Sequence, residues 1–265
     1  MAYPLDREQR RLAKASRSAE ATPLWHVIGG LAGPLLRRLI DFRITNPEKL
    51  PGTGAYVITP NHYSNLDPLT TGYLVWVMGR VPRFLAKASL FKKGPLGWLL
   101  RATGQIPVAR SGSGRAGADR QQPLAAAADL VSQGHAVIIY PEGTLTRQPE
   151  LWPMRGKTGA VRTALENDIP IIPMAHWGVQ DIMPRYSKKL ALFPRKTVRA
   201  IVGDPVDLDR FRGKPLESTL LAEATEAVMV EITRLLEELR GESAPAERWD
   251  PSKYGQSETG RFESA

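Results

Sequence analysis

The 265-residue sequence contains no cysteine. Disulfides, thiolate metal ligands and cysteine nucleophiles are therefore excluded at the outset. Histidine is scarce: His26, His62, His135 and His176 are scattered, and no HExxH pair is present to hold zinc on one helix face. Long apolar runs are missing too. The best, residues 24–36, contains His26 and Pro34, closes on Arg37-Arg38 and is shorter than the ~20 residues of a spanning helix. It begins late, behind a charged leader, and lacks the cleavage site of a secretory signal. A Gly-x-Ser-x-Gly nucleophile elbow is absent. Arg155-Gly156-Lys157-Thr158-Gly159 has the tail of a phosphate loop without its initial glycine, which excludes an NTPase reading.

What is present suits a folded chain, at 42% apolar and 24% charged residues. The length fits one large domain with ample core. The net charge of +9 is unevenly placed. Between Arg80 and Arg120 nine Lys and Arg stand against Asp119 alone, whereas from Ile201 onward eight stand against fourteen Asp and Glu. Such asymmetry points to a basic working face for a polyanion: phosphorylated substrate, anionic lipid or nucleic acid. Nucleic acid is disfavoured because no aromatic-plus-basic binding motif accompanies the charge.

Periodicity predicts strands at 55–59, 83–86, 105–108, 136–140, 169–174 and 197–202, with helices between them at 68–78, 94–102, 122–132 and 158–166. This alternation predicts a single α/β domain, with a mostly parallel mixed sheet flanked by helices, over residues 45–241. Leu221, Ala224, Val228, Ile232, Leu235 and Leu239 recur at steps of three and four and predict an amphipathic closing helix. Residues 242–265 read as a polar, mobile tail. Residues 1–44 read as a leader followed by an amphipathic helical segment. Trp25, Val27, Ile28, Leu31, Leu35, Leu36, Leu39 and Ile40 form a broad apolar face there, beside Arg37 and Arg38. That face suits either a membrane interface or the protein's own core.

The densest chemistry is Asn61-His62-Tyr63-Ser64-Asn65-Leu66-Asp67-Pro68, directly after the run Ala55-Tyr56-Val57-Ile58-Thr59. A neutral imidazole can remove an alcohol proton near pH 7, and a carboxylate can fix its tautomer and stabilise the imidazolium. Five residues on a regular helix turn by roughly 500°, so the two meet only if His62 lies in the loop and Asp67 opens the helix. Asp-Pro is equally the signature of a helix N-cap and first turn. Spacing alone leaves both readings open. Tyr140-Pro141-Glu142-Gly143-Thr144 ends another apolar strand, where ligands of open α/β sheets gather. Gly104-Gln105-Ile106-Pro107-Val108-Ala109-Arg110 brings an arginine to the end of a third, and its fork suits a phosphate.

His-x4-Asp, Gly-x-Ile-Pro-Val-x-Arg, Pro-Glu-Gly-Thr, Ile169-Pro170-Ile171-Ile172-Pro173 and Gly203-Asp204-Pro205-Val206 follow one another in this order. Together they resemble the glycerophosphate and 1-acylglycerol-3-phosphate acyltransferase family over residues 46–207. The resemblance implies His62 as general base and Asp67 as its orienting partner. It implies Arg110 on the acceptor phosphate, Glu142, Gly143 and Thr144 in acceptor binding, and Lys157 as a further basic contact. Many members carry arginine directly after the threonine, where this chain has Leu145, and Arg147 is the candidate to replace it. The implied reaction moves a fatty acyl group from acyl-CoA or acyl-ACP to the sn-2 hydroxyl of lysophosphatidic acid, forming phosphatidic acid. No metal or bound cofactor is expected. Another lysophospholipid or a glycolipid head group remains an alternative acceptor. The expected partner surface is an anionic membrane, with the protein peripheral or monotopic on the cytoplasmic face of the cell membrane.

Overall fold

Successive residues of a strand point to opposite sheet faces, and the apolar runs of this chain fill both. The computed structural model describes residues 4–108 and 127–256. Its main sheet has the order β1-β7-β6-β2-β5, built from β1 (Ile40–Thr45), β2 (Tyr56–Pro60), β5 (Ala136–Ile138), β6 (Ile171–Trp177) and β7 (Lys196–Val202). β2 pairs in parallel with β5 and β6, β6 pairs antiparallel with β7, and β7 pairs in parallel with β1. A two-stranded parallel ladder of β3 (Leu85–Lys87) and β4 (Ile106–Val108) continues beyond β5. The Phe84–Ile138 bridge and the bond from the Ile138 N–H to the Arg83 carbonyl (2.7 Å) join the two.

Ile58, Ile138, Ile172 and Met174 face one core, shared with Tyr73, Leu74 and Val77 of α3 (Asp67–Val77) and Leu36 of α2 (Pro23–Leu39). Val57, Val137 and Ile171 face the other. It is shared with Val161 and Ala164 of α6 (Gly159–Glu166) and with Val228 and Ile232 of α7 (Ser218–Arg240). The remaining helices are α1 (Arg7–Ser18), α4 (Gly94–Ala102) and the helical residues 127–132, α5. The predicted helix at 94–102 matches α4. The first five residues of the predicted helix at 122–132 lie outside the described residues.

Two boundaries change. The expected leader ended at residue 44, but Ile40–Thr45 is a sheet strand, with Ile40 and Phe42 buried. α2 runs straight into it, so the helical hairpin and the sheet are one continuous body. Glu20, between α1 and α2, fastens that hairpin. Its carboxylate pairs with Arg80 (2.8 Å), Arg83 (2.8 Å) and His135 (3.0 Å) and accepts the Val81 N–H (2.9 Å). The expectation of a free tail from residue 242 is also corrected as far as residue 256. The Arg155 N–H donates to the Trp249 carbonyl (2.8 Å), Met154 bridges Trp249, and Trp249 stacks on Tyr254. Among the described residues no helix is long and apolar enough to cross a membrane.

Candidate active site

His62 follows the carboxyl end of β2, and α3 begins five residues later. The intervening loop folds back so that His62 Nδ1 lies 2.9 Å from Asp67 Oδ2. The same oxygen accepts the backbone N–H groups of Tyr63 (2.7 Å) and Ser64 (2.8 Å). Asp67 thus bonds backward into the loop, and its side chain makes no cap bond to the helix. The geometry favours the dyad over the cap. Asp67 is fully buried, whereas 16% of the His62 side chain is exposed.

Residues after β5 hold His62 from the other side. Its imidazole stacks on the Tyr140 ring, with centroids 4.1 Å apart. Its N–H donates to Glu142 Oε1 (3.0 Å), and its carbonyl accepts the Thr146 N–H (2.7 Å). Glu142 Oε2 accepts the Met154 N–H (3.1 Å). Burial pushes the Glu142 carboxyl up to about 8, against the lowering effect of those backbone N–H groups. Both carboxyl oxygens are engaged by the protein's own backbone, so Glu142 braces the histidine. The turn it belongs to needs Gly143 in the left-handed region (φ 68°), and a Cβ there would come within 3.0 Å of the Lys157 side chain.

Thr144 is buried beside this turn, as are Leu145 and Arg147. Lys157 lies behind it and, with Arg155 and Thr158, lines a cleft of about 480 Å³ against α7 and Pro251. The structure therefore gathers His62, Asp67, Glu142, Gly143 and Thr144 around one loop and sets Lys157 on the far side of the turn. Arg110 lies outside the described residues.

Several supporting residues escaped sequence reasoning. His176 on β6 is fully buried, and burial lowers its pKa. Its Nε2 donates to the Asn61 carbonyl (3.0 Å), its Nδ1 accepts the Tyr63 hydroxyl (2.9 Å), and its N–H donates to Asn61 Oδ1 (2.9 Å). This lattice pins the residues on both sides of His62 to the sheet. Arg185 donates to the carbonyls of Thr146 (2.8 Å) and Gln148 (2.7 Å), clamping the end of the Glu142 turn. Asn61 and Tyr63 flank His62 in sequence, but nothing local signals partners more than a hundred residues away.

A family model described as Acyltransferase matches residues 41–177. The chain is 29% identical over 193 residues to a 1-acyl-sn-glycerol-3-phosphate acyltransferase of Bacillus subtilis, covering 73% of this chain and 87% of that protein. It is 32% identical over 151 residues to the alpha 1-acyl-sn-glycerol-3-phosphate acyltransferase of Mus musculus, covering 57% of this chain and 49% of the relative. With the chloroplastic BAT2 1-acyl-sn-glycerol-3-phosphate acyltransferase of Brassica napus it shares 29% over 160 residues, 60% of this chain and 43% of that one. The chain thus spans less than half the length of the plant and mouse relatives. The crystal structure of the 1-acyl-sn-glycerophosphate (LPA) acyltransferase PlsC from Thermotoga maritima is similar with a TM-score of 0.59 and 21% identity. That likeness covers 91% of this chain and 85% of that one, and it shows the shared α/β fold.

Proposed function

The chain belongs to the Acyltransferase family, and from that premise we propose that it transfers a fatty acyl group from a thioester donor, acyl-CoA or acyl-ACP, to the sn-2 hydroxyl of lysophosphatidic acid. The product is phosphatidic acid. The observation that carries this reading is the His62–Asp67 pair, 2.9 Å apart and locked to the Glu142 turn by two backbone bonds. His62 Nε2 takes the hydroxyl proton as the oxygen attacks the thioester carbonyl. The C–S bond breaks, and the thiolate takes the proton back from the imidazolium. Asp67 holds the imidazole through Nδ1 and offsets the charge that forms. With neither cysteine nor a serine elbow, transfer is direct, within a ternary complex. Arg110 holds the acceptor phosphate, with Gly143 and Thr144 shaping its pocket and Lys157 adding positive potential. Glu142 serves that pocket by bracing the turn.

One observation favours a second acceptor class. The position after Thr144 is filled by the buried Leu145, and Arg147 is itself buried. A lysophospholipid with a different head group, or a glycolipid, would make less use of an arginine there.

The substrates are bilayer lipids, and α2 supports a peripheral, monotopic placement, which we assign to the cytoplasmic face of the cell membrane. Val27, Leu31 and Leu35 stand one turn apart and are all more than half exposed, with Arg37 and Arg38 in the last turn. The deciding experiment is acyltransfer by purified protein against phosphorylated and dephosphorylated acceptors with each donor carrier. Transfer to lysophosphatidic acid that His62→Ala abolishes is expected. Turnover undiminished in folded His62→Ala would remove His62 from the chemistry.

A further inference from the structure

Strand direction places a second feature on the side of the sheet that holds the dyad. His62 follows the end of β2 and Tyr140 closely follows that of β5, and β6 runs the same way. β7 runs opposite, and the registers set its last residue, Val202, level with Met174 and so with Pro60 at the end of β2; β6 and β7 therefore continue past that level, and the connection between them lies farther out on the same side of the sheet. This connection is tied at both ends. The Ser64 hydroxyl donates to the Met183 carbonyl (2.7 Å), and Ser64 also donates its N–H to Asp67. Arg195 Nη2 donates to the carbonyls of Arg37 (2.7 Å) and Ile40 (3.0 Å) at the end of α2. The loop therefore runs from the catalytic loop to the helix proposed to lie on the membrane.

Between those ties its sequence is Lys188-Lys189-Leu190-Ala191-Leu192-Phe193-Pro194. Phe193 is 80% exposed and Leu190 54%, while Leu192 turns inward against the core. Lys188 and Lys189 are exposed beside them. From Ile182 to Gly203 there are six Lys and Arg and no acidic residue. A loop serving only as a connection has no use for a phenylalanine held in water at this cost in apolar exposure. Large apolar tips with cations of one sign around them match an anionic bilayer interface, where the apolar groups enter the acyl boundary and the cations meet phosphates.

We infer that the 188–195 loop is a second membrane-insertion element. Leu190 and Phe193 enter the outer acyl region of an anionic bilayer and hold the mouth of the His62–Asp67 site at the lipid surface. The inference rests on the reading that the acceptor is a bilayer lipid. It adds an anchor beyond α2, to whose end the loop is tied.

The absence of cysteine makes the test clean. Phe193→Cys in the full chain is labelled with an environment-sensitive fluorophore and mixed with vesicles of phosphatidylcholine, with or without phosphatidylglycerol. Lys214→Cys, exposed beyond the opposite end of β7, is the control. The label at 193 should shift to the blue and brighten on anionic vesicles, while the label at 214 should not respond. Leu190→Ser with Phe193→Ser should weaken vesicle partition about tenfold. The same double variant should stay within about twofold of the parent on a detergent-dispersed short-chain acceptor, because neither side chain packs in the core. Vesicle binding with a silent label at 193 would overturn the proposal and leave a protein partner as the occupant of the loop. Failure of the chain to bind vesicles at all would overturn the membrane reading and the loop with it. Insertion at 193 without acyltransfer to any acceptor would uphold the loop and sink the acyltransfer reading instead.

Discussion

Replacing Asp67 by asparagine separates the two roles a helix-opening aspartate can have. One oxygen of Asp67 accepts from Tyr63 N–H, Ser64 N–H and His62 Nδ1, at 2.7, 2.8 and 2.9 Å. The asparagine carbonyl can occupy that position, so the loop keeps its bonds but loses their charge assistance. Charged hydrogen bonds contribute about 1.5–3 kcal/mol against about 0.5–1.5 for neutral ones, so the two backbone bonds together lose about 2 kcal/mol. Release from burying a charge offsets part of this, while the new amide NH₂ takes the place of Oδ1, a buried oxygen with no hydrogen-bond partner. The net stability loss is about 1–3 kcal/mol, or a melting temperature lower by roughly 2–10 °C for a chain of this size. The catalytic loss is larger. An imidazolium and a carboxylate with charge centres about 4 Å apart attract by about 4 kcal/mol at an effective dielectric of 20. At about 1.4 kcal/mol per decade, removing that attraction lowers kcat by about 10³. Turnover under saturating donor and acceptor, measured well below the melting transition and compared with calorimetry, checks both numbers. Asp67→Asn that melts lower but keeps more than a tenth of parental kcat would show that the carboxylate only builds the loop.

The other predictions address the residues around the dyad. Burial raises the Glu142 carboxyl to about 8, above its ordinary value of 4.5, so the folded protein holds an extra proton between those values. The stability it contributes is full below about pH 4.5 and is lost as pH rises through 8; the parent should lose melting temperature between pH 5 and pH 8 relative to Glu142→Gln, and parallel curves would refute the buried-acid account. Arg110→Ala should raise KM for lysophosphatidic acid at least tenfold, in line with a lost bidentate phosphate contact, and change use of a dephosphorylated acceptor far less; equal losses on both would make Arg110 structural. Arg147→Ala is expected to act through the melting temperature first, because Arg147 is buried. Glu20→Ala leaves Arg80 and Arg83 buried without their carboxylate and should cost about 3–5 kcal/mol by denaturant titration. A loss under about 1 kcal/mol would mean the helical hairpin is not fastened there.

Local pattern carried much of this molecule. The alternation of short β-branched runs with helical stretches is periodic within a few residues, so strand and helix positions were legible to within a few residues. β1 was the exception. Ile40, Phe42 and Ile44 alternate as an edge strand should, but they continue the apolar stripe of α2 without a break. Only pairing with Lys196–Val202, far along the chain, reveals the change of period. The tail was misread for a similar reason. Its polar composition hid Trp249, whose carbonyl and ring find partners at Arg155 and Tyr254.

For the site, the sequence by itself determined which residue types stand in which order. An imidazole follows a strand, a carboxylate follows five residues later, and a Pro-Glu-Gly-Thr turn ends a second strand. Through the family resemblance, that order pointed to a reaction. It could not decide what each side chain touches. Only the tertiary structure turned Asp67 back onto the loop, turned Glu142 inward onto the His62 and Met154 N–H groups, and set Tyr140 under the imidazole. The bonds that made these choices join residues 80, 115 and 119 positions apart. A hydrogen bond depends on distance and angle in space, and a parallel sheet brings the ends of distant strands to one rim. The same folding tied the connection that carries Leu190 and Phe193 to the catalytic loop through Ser64 and Met183, a contact that neither composition nor spacing signals.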